Sequence, residues 1–219
     1  LCKEHHIDVI LAVGGGSTID CSKAIATGVF YDGDLWEMVR TAHIRPALPL
    51  VAVLTLSATG SEFDAGAVIS NPATHEKLGG MYTYPSVSIC DPTYTFTVSP
   101  RQTAAGAADI MSHIFEGYFS RTEDSNLSDG IAETVLRSVI ENLPIALKKP
   151  DDYSARANLM AVSSIACSGV PEYGKAGTGW PCHAMEHELS AYYDITHGVG
   201  LAILTPRWMR HILKKDPSC

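Results

Sequence analysis

The stretch IDVILAVGGGS at residues 7–17 constrains the fold more than any other part of the chain. An apolar, β-branched run that stops at three successive glycines and passes into a helical pattern reads as strand, tight turn, helix. Glycines permit positive φ and a close approach of backbone to ligand, and the helix behind them offers unpaired N–H groups and a partial positive charge. Such a turn suits a pyrophosphate, with the Ser17 hydroxyl as one more donor; taken alone it reads equally as a plain tight turn, and the second loop, at 55–62, favours the nucleotide site. It is neither GxGxxG nor a P-loop, because no Gly-Lys-Ser/Thr follows. A second apolar run, residues 48–54, ends in the hydroxyl-rich loop TLSATGSE at 55–62, and a third covers 87–90 before Asp91-Pro92. Strands alternating with helix and glycine loops imply an α/β layer with a mostly parallel sheet. Ligands of such sheets bind at the carboxyl ends of the strands, where both loops lie.

The pattern changes at Ser99-Pro100-Arg101-Gln102, which offers an N-cap serine, a first-turn proline and a glutamine where a capping box wants one. Helices are expected over about 100–120, 125–148, 152–168, 181–193 and 199–214, with Asp151 or Asp152 capping the third and Gly169 stopping it. There is no internal repeat or low-complexity tract. The expected organisation is a partial α/β dinucleotide-binding domain at 1–98 and a partial all-helical metal-binding, catalytic domain at 99–219.

With 219 residues, 46% hydrophobic and 18% charged, the chain can bury a core and is not of the disordered class. A net charge of −8 lacks the basic footprint of a nucleic-acid binder. No run of about 18 apolar residues predicts a membrane span, and no signal-peptide pattern opens the chain. Cys2, Cys21, Cys90, Cys167, Cys182 and Cys219 form no CxxC pair and read as reduced thiols of a cytoplasmic protein. Cys182, beside His183, reads as a small hydrophobe rather than a redox centre. The chain does not open on Met. LCKEHHID resembles the tail of a helix entering a strand, and HILKKDPSC closely follows another helix, so a fragment of a longer protein is expected.

Asp109 and His113 are spaced i, i+4 on one expected helix, which puts them on one face a turn apart. His183 and His187 repeat that spacing in HAMEH, and His197 follows in Thr196-His197-Gly198. Any one of these histidines reads first as an ordinary core or surface residue. Together, beside the two loops, they read as a carboxylate-plus-imidazole set suited to Zn(II) or Fe(II). Glu116, three residues after His113, is either an orienting partner for an imidazole or a plain surface charge. HAMEH also satisfies the HxxEH pattern of zinc peptidases, with His183 and His187 as ligands and Glu186 as base. That alternative leaves the glycine loops and the Asp109/His113 pair unexplained.

VGGGSTIDCSKAIA (13–26), LTLSATGSEFDAGAVIS (54–70), CDPTYTFTVSPRQTAAGAADIMSHIFEGY (90–118) and HAMEHELSAYYDITHGVGLAILTP (183–206) together resemble the iron-containing (group III) alcohol dehydrogenase family. The likeness is greatest to its NADPH-dependent butanol dehydrogenase and aldehyde reductase branch. It implies Asp109, His113, His183 and His197 as ligands of Fe(II) or Zn(II), and His187 as a catalytic non-ligand near substrate and nicotinamide. It implies Gly15, Gly16 and Ser17 at the cofactor pyrophosphate, Asp20 near the nicotinamide, Thr55 and Ser57 at the second loop, and Lys77 at the cofactor ribose. The sequence after Lys77 is shorter than the family pattern. The implied reaction is reversible hydride transfer between NADPH, or NADH as the alternative, and a small aldehyde or primary alcohol. His187 would pass a proton to the product alkoxide. The family's habit of pairing implies a homodimer. Family sequence upstream and downstream is absent, so an inactive fragment with open sheet edges and weak cofactor affinity is a further alternative.

Overall fold

The computed structural model describes residues 1–41, 43–177 and 179–215; the expectation of a free Cys219 falls outside them. The elements are β1 (Ile10–Gly14), α1 (Gly16–Gly28), α2 (Leu35–Arg40), β2 (Leu50–Leu54), β3 (Gly66–Asn71), β4 (Glu76–Met81) and β5 (Val87–Ile89). Then come α3 (Pro100–Tyr118), α4 (Asn126–Lys148), α5 (Tyr153–Ala166), α6 (Pro181–Tyr193) and α7 (His197–Lys215). Single 3-10 turns occupy Pro92–Thr95 and Val170–Glu172. A mixed α/β part followed by an all-helical part is the architecture the sequence implies.

β1, β2 and β5 form a parallel sheet in the order β1-β2-β5, with Ile10 opposite Leu50 and Val51 opposite Val87. Side chains alternate between faces along each strand. Ala12, Leu50, Ala52 and Leu54 are buried, packed with Ile19 of α1 and Met160 of α5. The opposite face carries Leu11, Val13, Val87 and Ile89, which are 63%, 55%, 54% and 44% exposed.

The antiparallel β3–β4 hairpin and the short α2 were not expected. Glu76–Met81 reads EKLGGM and lacks the alternation that marks a half-buried strand. A small apolar cluster of Met38, Ala67 and Tyr82 and several polar anchors hold the hairpin. The fully buried Lys23 of α1 donates to Asp64 Oδ1 at 2.9 Å and to Gly66 O at 2.6 Å. Trp36 Nε1 of α2 donates to Glu76 Oε2 at 2.9 Å, and Asn71 Oδ1 accepts the Ala73 N–H at 3.0 Å in the turn.

In the helical part α3 packs against α4, α5 and α7. Ile110, Ile114, Val135, Val139 and Leu159 are buried between α3, α4 and α5, each contributing about 1.5–3 kcal/mol of apolar burial. The caps follow the sequence: Ser99 Oγ accepts the Gln102 N–H at 3.2 Å, and of the two candidate aspartates Asp152 accepts from Ala155 N at 3.1 Å. The helix expected to reach 168 stops at Ala166, and Gly169 (φ 80°) turns the chain after it. Two glycines set how closely neighbours approach. A Cβ on Gly106 would lie 2.3 Å from Ser57 O, and one on Gly198 would lie 1.9 Å from Ala105 O. The first contact fixes the loop after β2 against α3; the second fixes the start of α7 there. Among the described residues no helix is long and apolar enough to cross a membrane.

Candidate metal centre and cofactor cleft

α3 carries Asp109 and His113 a turn apart, the first turn of α6 carries His183, and α7 begins at His197. The Nε2 atoms of His113, His183 and His197 lie 3.6, 3.7 and 3.5 Å from one oxygen, Asp109 Oδ1. These separations are too long for hydrogen bonds. Asp109 Oδ1 and His183 Nε2 are buried with no hydrogen-bond partner. A buried unpaired polar atom costs about 1–3 kcal/mol, a cost that an ion between these groups would remove; Asp109, His113 and His183 offer atoms within 4.8 Å of one another, and His197 Nε2 approaches the same carboxylate oxygen. Two donors tetrahedrally bound at about 2.0–2.1 Å to one ion stand about 3.4 Å apart. The donor set and its spacing therefore fit a divalent cation.

The charges are arranged to match. Burial pushes Asp109 up, but attraction to His113, His183 and His197 outweighs it and holds the carboxyl below the ordinary range. Burial pushes His113 down to about 4, so its ring is neutral at physiological pH. Burial also lowers His183, but the Asp109 and Glu116 carboxylates on either side carry it above its ordinary value.

Two buried glutamates hold the Nδ1 atoms of His183 and His197. Glu116 Oε1 stands 3.1 Å from His183 Nδ1 and accepts the His183 backbone N–H at 2.9 Å. Glu186 Oε2 is bonded to His197 Nδ1. A carboxylate only accepts, so Nδ1 carries the hydrogen and the Nε2 lone pair faces Asp109. Glu116 is thus an orienting partner and not a surface charge. Glu186, fully buried, also accepts from Ser190 Oγ, and from Lys77 Nζ at 3.2 Å. Gly200 makes room for it, since a Cβ there would lie 2.7 Å from the Glu186 carboxylate.

This arrangement removes the peptidase alternative. Glu186 is committed to His197, Ser190 and Lys77, and His183 faces Asp109 rather than pairing with His187. Glu186, His187 and His197 also cluster closely enough to hold an ion. The Lys77 ammonium, 3.2 Å from Glu186 and 3.4 Å from His197 Nδ1, already supplies positive charge there. Sequence reasoning missed the orienting role of Glu186; its bond to His197 depends on how α6 packs on α7, which spacing does not report.

A cleft of about 560 Å³ runs from Ser17 and Asp20 to His183, His187 and His197, with Lys77 on its wall. Gly15 is the N-cap of α1 and Gly16 its first residue. None of Gly14, Gly15 or Gly16 takes positive φ. They are glycines because of crowding: a Cβ on Gly16 would lie 2.3 Å from Thr59 Oγ1, and one on Gly14 would lie 2.5 Å from Thr18 Oγ1. Asp20 accepts from Ser61 Oγ at 2.6 Å and from Val68 N at 2.8 Å, and burial raises its carboxyl to about 6.

Of the second loop, Thr59 and Ser61 line this cleft. Ser57 lines a small separate cavity beside Thr103 and Arg156, and the Thr55 N–H donates to Gly14 O at 3.0 Å. Half-buried His187 faces the cleft, held down at about 4 by burial, then by Lys77 and His197. Cys182 is buried and its thiol is pushed up to about 11 by burial, as suits a small hydrophobe.

Residues 1–92 match the family described as iron-containing alcohol dehydrogenase, and residues 103–218 match the Fe-containing alcohol dehydrogenase family, C-terminal. The NADH-dependent butanol dehydrogenase A of Clostridium acetobutylicum is 60% identical over 219 residues, 99% of this chain and 56% of that protein. The NADPH-dependent aldehyde reductase of Escherichia coli is 38% identical over 217 residues, 94% of this chain and 54% of its own. The crystal structure of NADH-dependent butanol dehydrogenase A from Thermotoga maritima matches with a TM-score of 0.94 at 44% identity, covering 99% of this chain and 55% of that one. The chain spans about half the length of the curated relatives it matches. The expected leaning to an NADPH-dependent branch is corrected: over the aligned residues the Clostridium relative named for NADH is 60% identical and the Escherichia coli relative named for NADPH 38%.

Proposed function

Because this chain belongs to the iron-containing alcohol dehydrogenase family, we propose that it serves reversible hydride transfer between NADH and a small aldehyde or primary alcohol. The observation that carries the reading is the convergence of three imidazole Nε2 atoms on Asp109 Oδ1 in the cleft that also reaches Ser17 at the start of α1. In this reading Asp109, His113, His183 and His197 hold Fe(II) or Zn(II). Gly15, Gly16 and Ser17 receive the pyrophosphate at the N-terminus of α1. Thr59 and Ser61 complete the wall of that loop, with Thr55 and Ser57 behind it. When bound, the metal supplies Lewis-acid polarisation of the carbonyl oxygen and the reduced nicotinamide supplies the hydride.

The chain's own groups do the rest. Glu116 and Glu186 fix the tautomer and aim of His183 and His197. His187 is neutral at physiological pH, so it offers one donor and one acceptor nitrogen and relays a proton to the product oxygen. Lys77, on the cleft wall, keeps Glu186 paired. Support for NADH comes from the higher identity to relatives named for it. The division near residue 98, a cytoplasmic setting and a homodimer complete the proposal.

The test is metal content per chain, by elemental analysis, for the parent and Asp109→Ala purified under reducing conditions. About one ion in the parent and loss in the variant is the expected outcome. NADH and NADPH oxidation with butanal by the parent then reads the activity; metal retained by Asp109→Ala overturns the reading, and metal held without turnover with either cofactor favours the inactive-fragment alternative.

A further inference from the structure

The wall of the cleft is made of small or polar side chains with one exception. Among the described residues, Trp180 is the one large apolar group lining it; the other apolar side chains there include only Ala67, Val68 and Ala184. Its indole stands edge-on to the His183 ring at 4.9 Å between centroids and is tilted against His113 at 5.6 Å. The ring therefore borders the ligand cluster.

The backbone that puts it there is unusual. Trp180 is the N-cap of α6 at φ 50°, ψ 56°, with no side-chain capping bond. Gly179 before it has φ 78°. A bulky non-glycine residue in the left-handed region is strained, and such strain persists where the surroundings fix it, often at functional sites. The approach to this turn is anchored: the Ala176 N–H donates to Thr122 Oγ1 at 2.8 Å, and Lys175 pairs with Asp129 over the Tyr118 ring.

We propose that Trp180 is a specificity-determining residue: its indole is the apolar wall on which the carbon chain of the substrate packs while the polar end reaches the Asp109–histidine cluster. The inference rests on the hydride-transfer reading above. The polar and small groups of the wall gain little from an alkyl chain, so discrimination by chain length belongs to the indole. A methylene fully removed from water strengthens binding about fourfold, and one resting on a single wall about twofold to threefold.

The experiment uses the 219-residue chain loaded with Co(II). Acetohydroxamate, propionohydroxamate and butyrohydroxamate are titrated while the visible Co(II) spectrum is followed, which reads affinity without turnover. The parent is expected to gain about twofold to threefold per methylene, Trp180→Phe less, and Trp180→Ala almost nothing, with Co(II) stoichiometry equal in all three. Values of kcat/KM for acetaldehyde, propanal and butanal with NADH should follow the same order. Equal gains per methylene in the parent and Trp180→Ala, with Co(II) bound in both, overturn this inference alone. If Trp180→Ala does not fold, a Trp180→Phe gain equal to the parent's overturns it. A parent that binds no Co(II) overturns the metal reading and this inference with it.

Discussion

Asp20 shows how one buried carboxylate makes stability depend on pH. Its folded pKa of about 6 lies above the ordinary value of 3.8, because burial outweighs the Ser61 and Val68 hydrogen bonds. Between those values the folded chain binds the proton more tightly than the unfolded chain. Stability therefore falls as pH rises through that window and is flat above it, by at most about 3 kcal/mol. Asp20→Asn keeps an acceptor for Val68 N and a partner for Ser61, so urea unfolding from pH 4 to pH 7 should show a smaller fall than in the parent. At the metal centre Glu186→Gln should weaken Zn(II) binding about 10–100-fold, read by chelator competition, because a neutral amide orients His197 less firmly and leaves Lys77 unpaired. Asp109 and His113 could be paired from sequence because both lie on one helix a turn apart. The bonds of Glu186 to His197 and Lys77 join α6 to the start of α7 and to β4, and no local spacing encodes them.

Strands that end in glycine and helices that begin at a serine or aspartate cap were legible because the signals are local and strong. β1, α1, β2 and β5 appear where the apolar runs fall, as do the caps of α3 and α5. The β3–β4 hairpin was not legible, since β4 carries no alternating apolar pattern and the Lys23, Asp64 and Trp36 anchors that help hold it come from distant parts of the chain. That omission also hid where Lys77 points: it lies on β4 against α6, between the two parts of the chain. Closeness of helices is equally invisible in one sequence. Gly198 looks like a loop glycine after His197, yet its missing Cβ is what lets α7 meet Ala105 of α3. Gly198→Ala must push α7 away, carrying His197 off Asp109. Urea unfolding should show a loss of about 1–3 kcal/mol or more, and Zn(II) stoichiometry should fall with it.

At the scale of the molecule, the described residues cover the parallel sheet on one face only. Parallel sheets are normally covered on both, and Leu11, Val13, Val87 and Ile89 make an exposed apolar array, with Leu11 aligned through Val51 to Val87. The chain should bind a hydrophobic dye and scatter light increasingly with concentration. Val13→Lys should reduce both while leaving unfolding free energy within about 0.5 kcal/mol of the parent; unchanged dye binding would place the sticky surface elsewhere. The charge of −8 offsets this tendency only in part, because it is screened within about 8 Å at physiological salt. The four candidate donors come from three helices, α3, α6 and α7, and α4 and α5 separate the first of these from the other two. A nascent or half-docked chain has at most two of them on one helix, and His197 arrives only with α7. In the metal-binding reading proposed above, an ion is held only once α3, α6 and α7 have docked on one another, so loading would report correct assembly of those three helices.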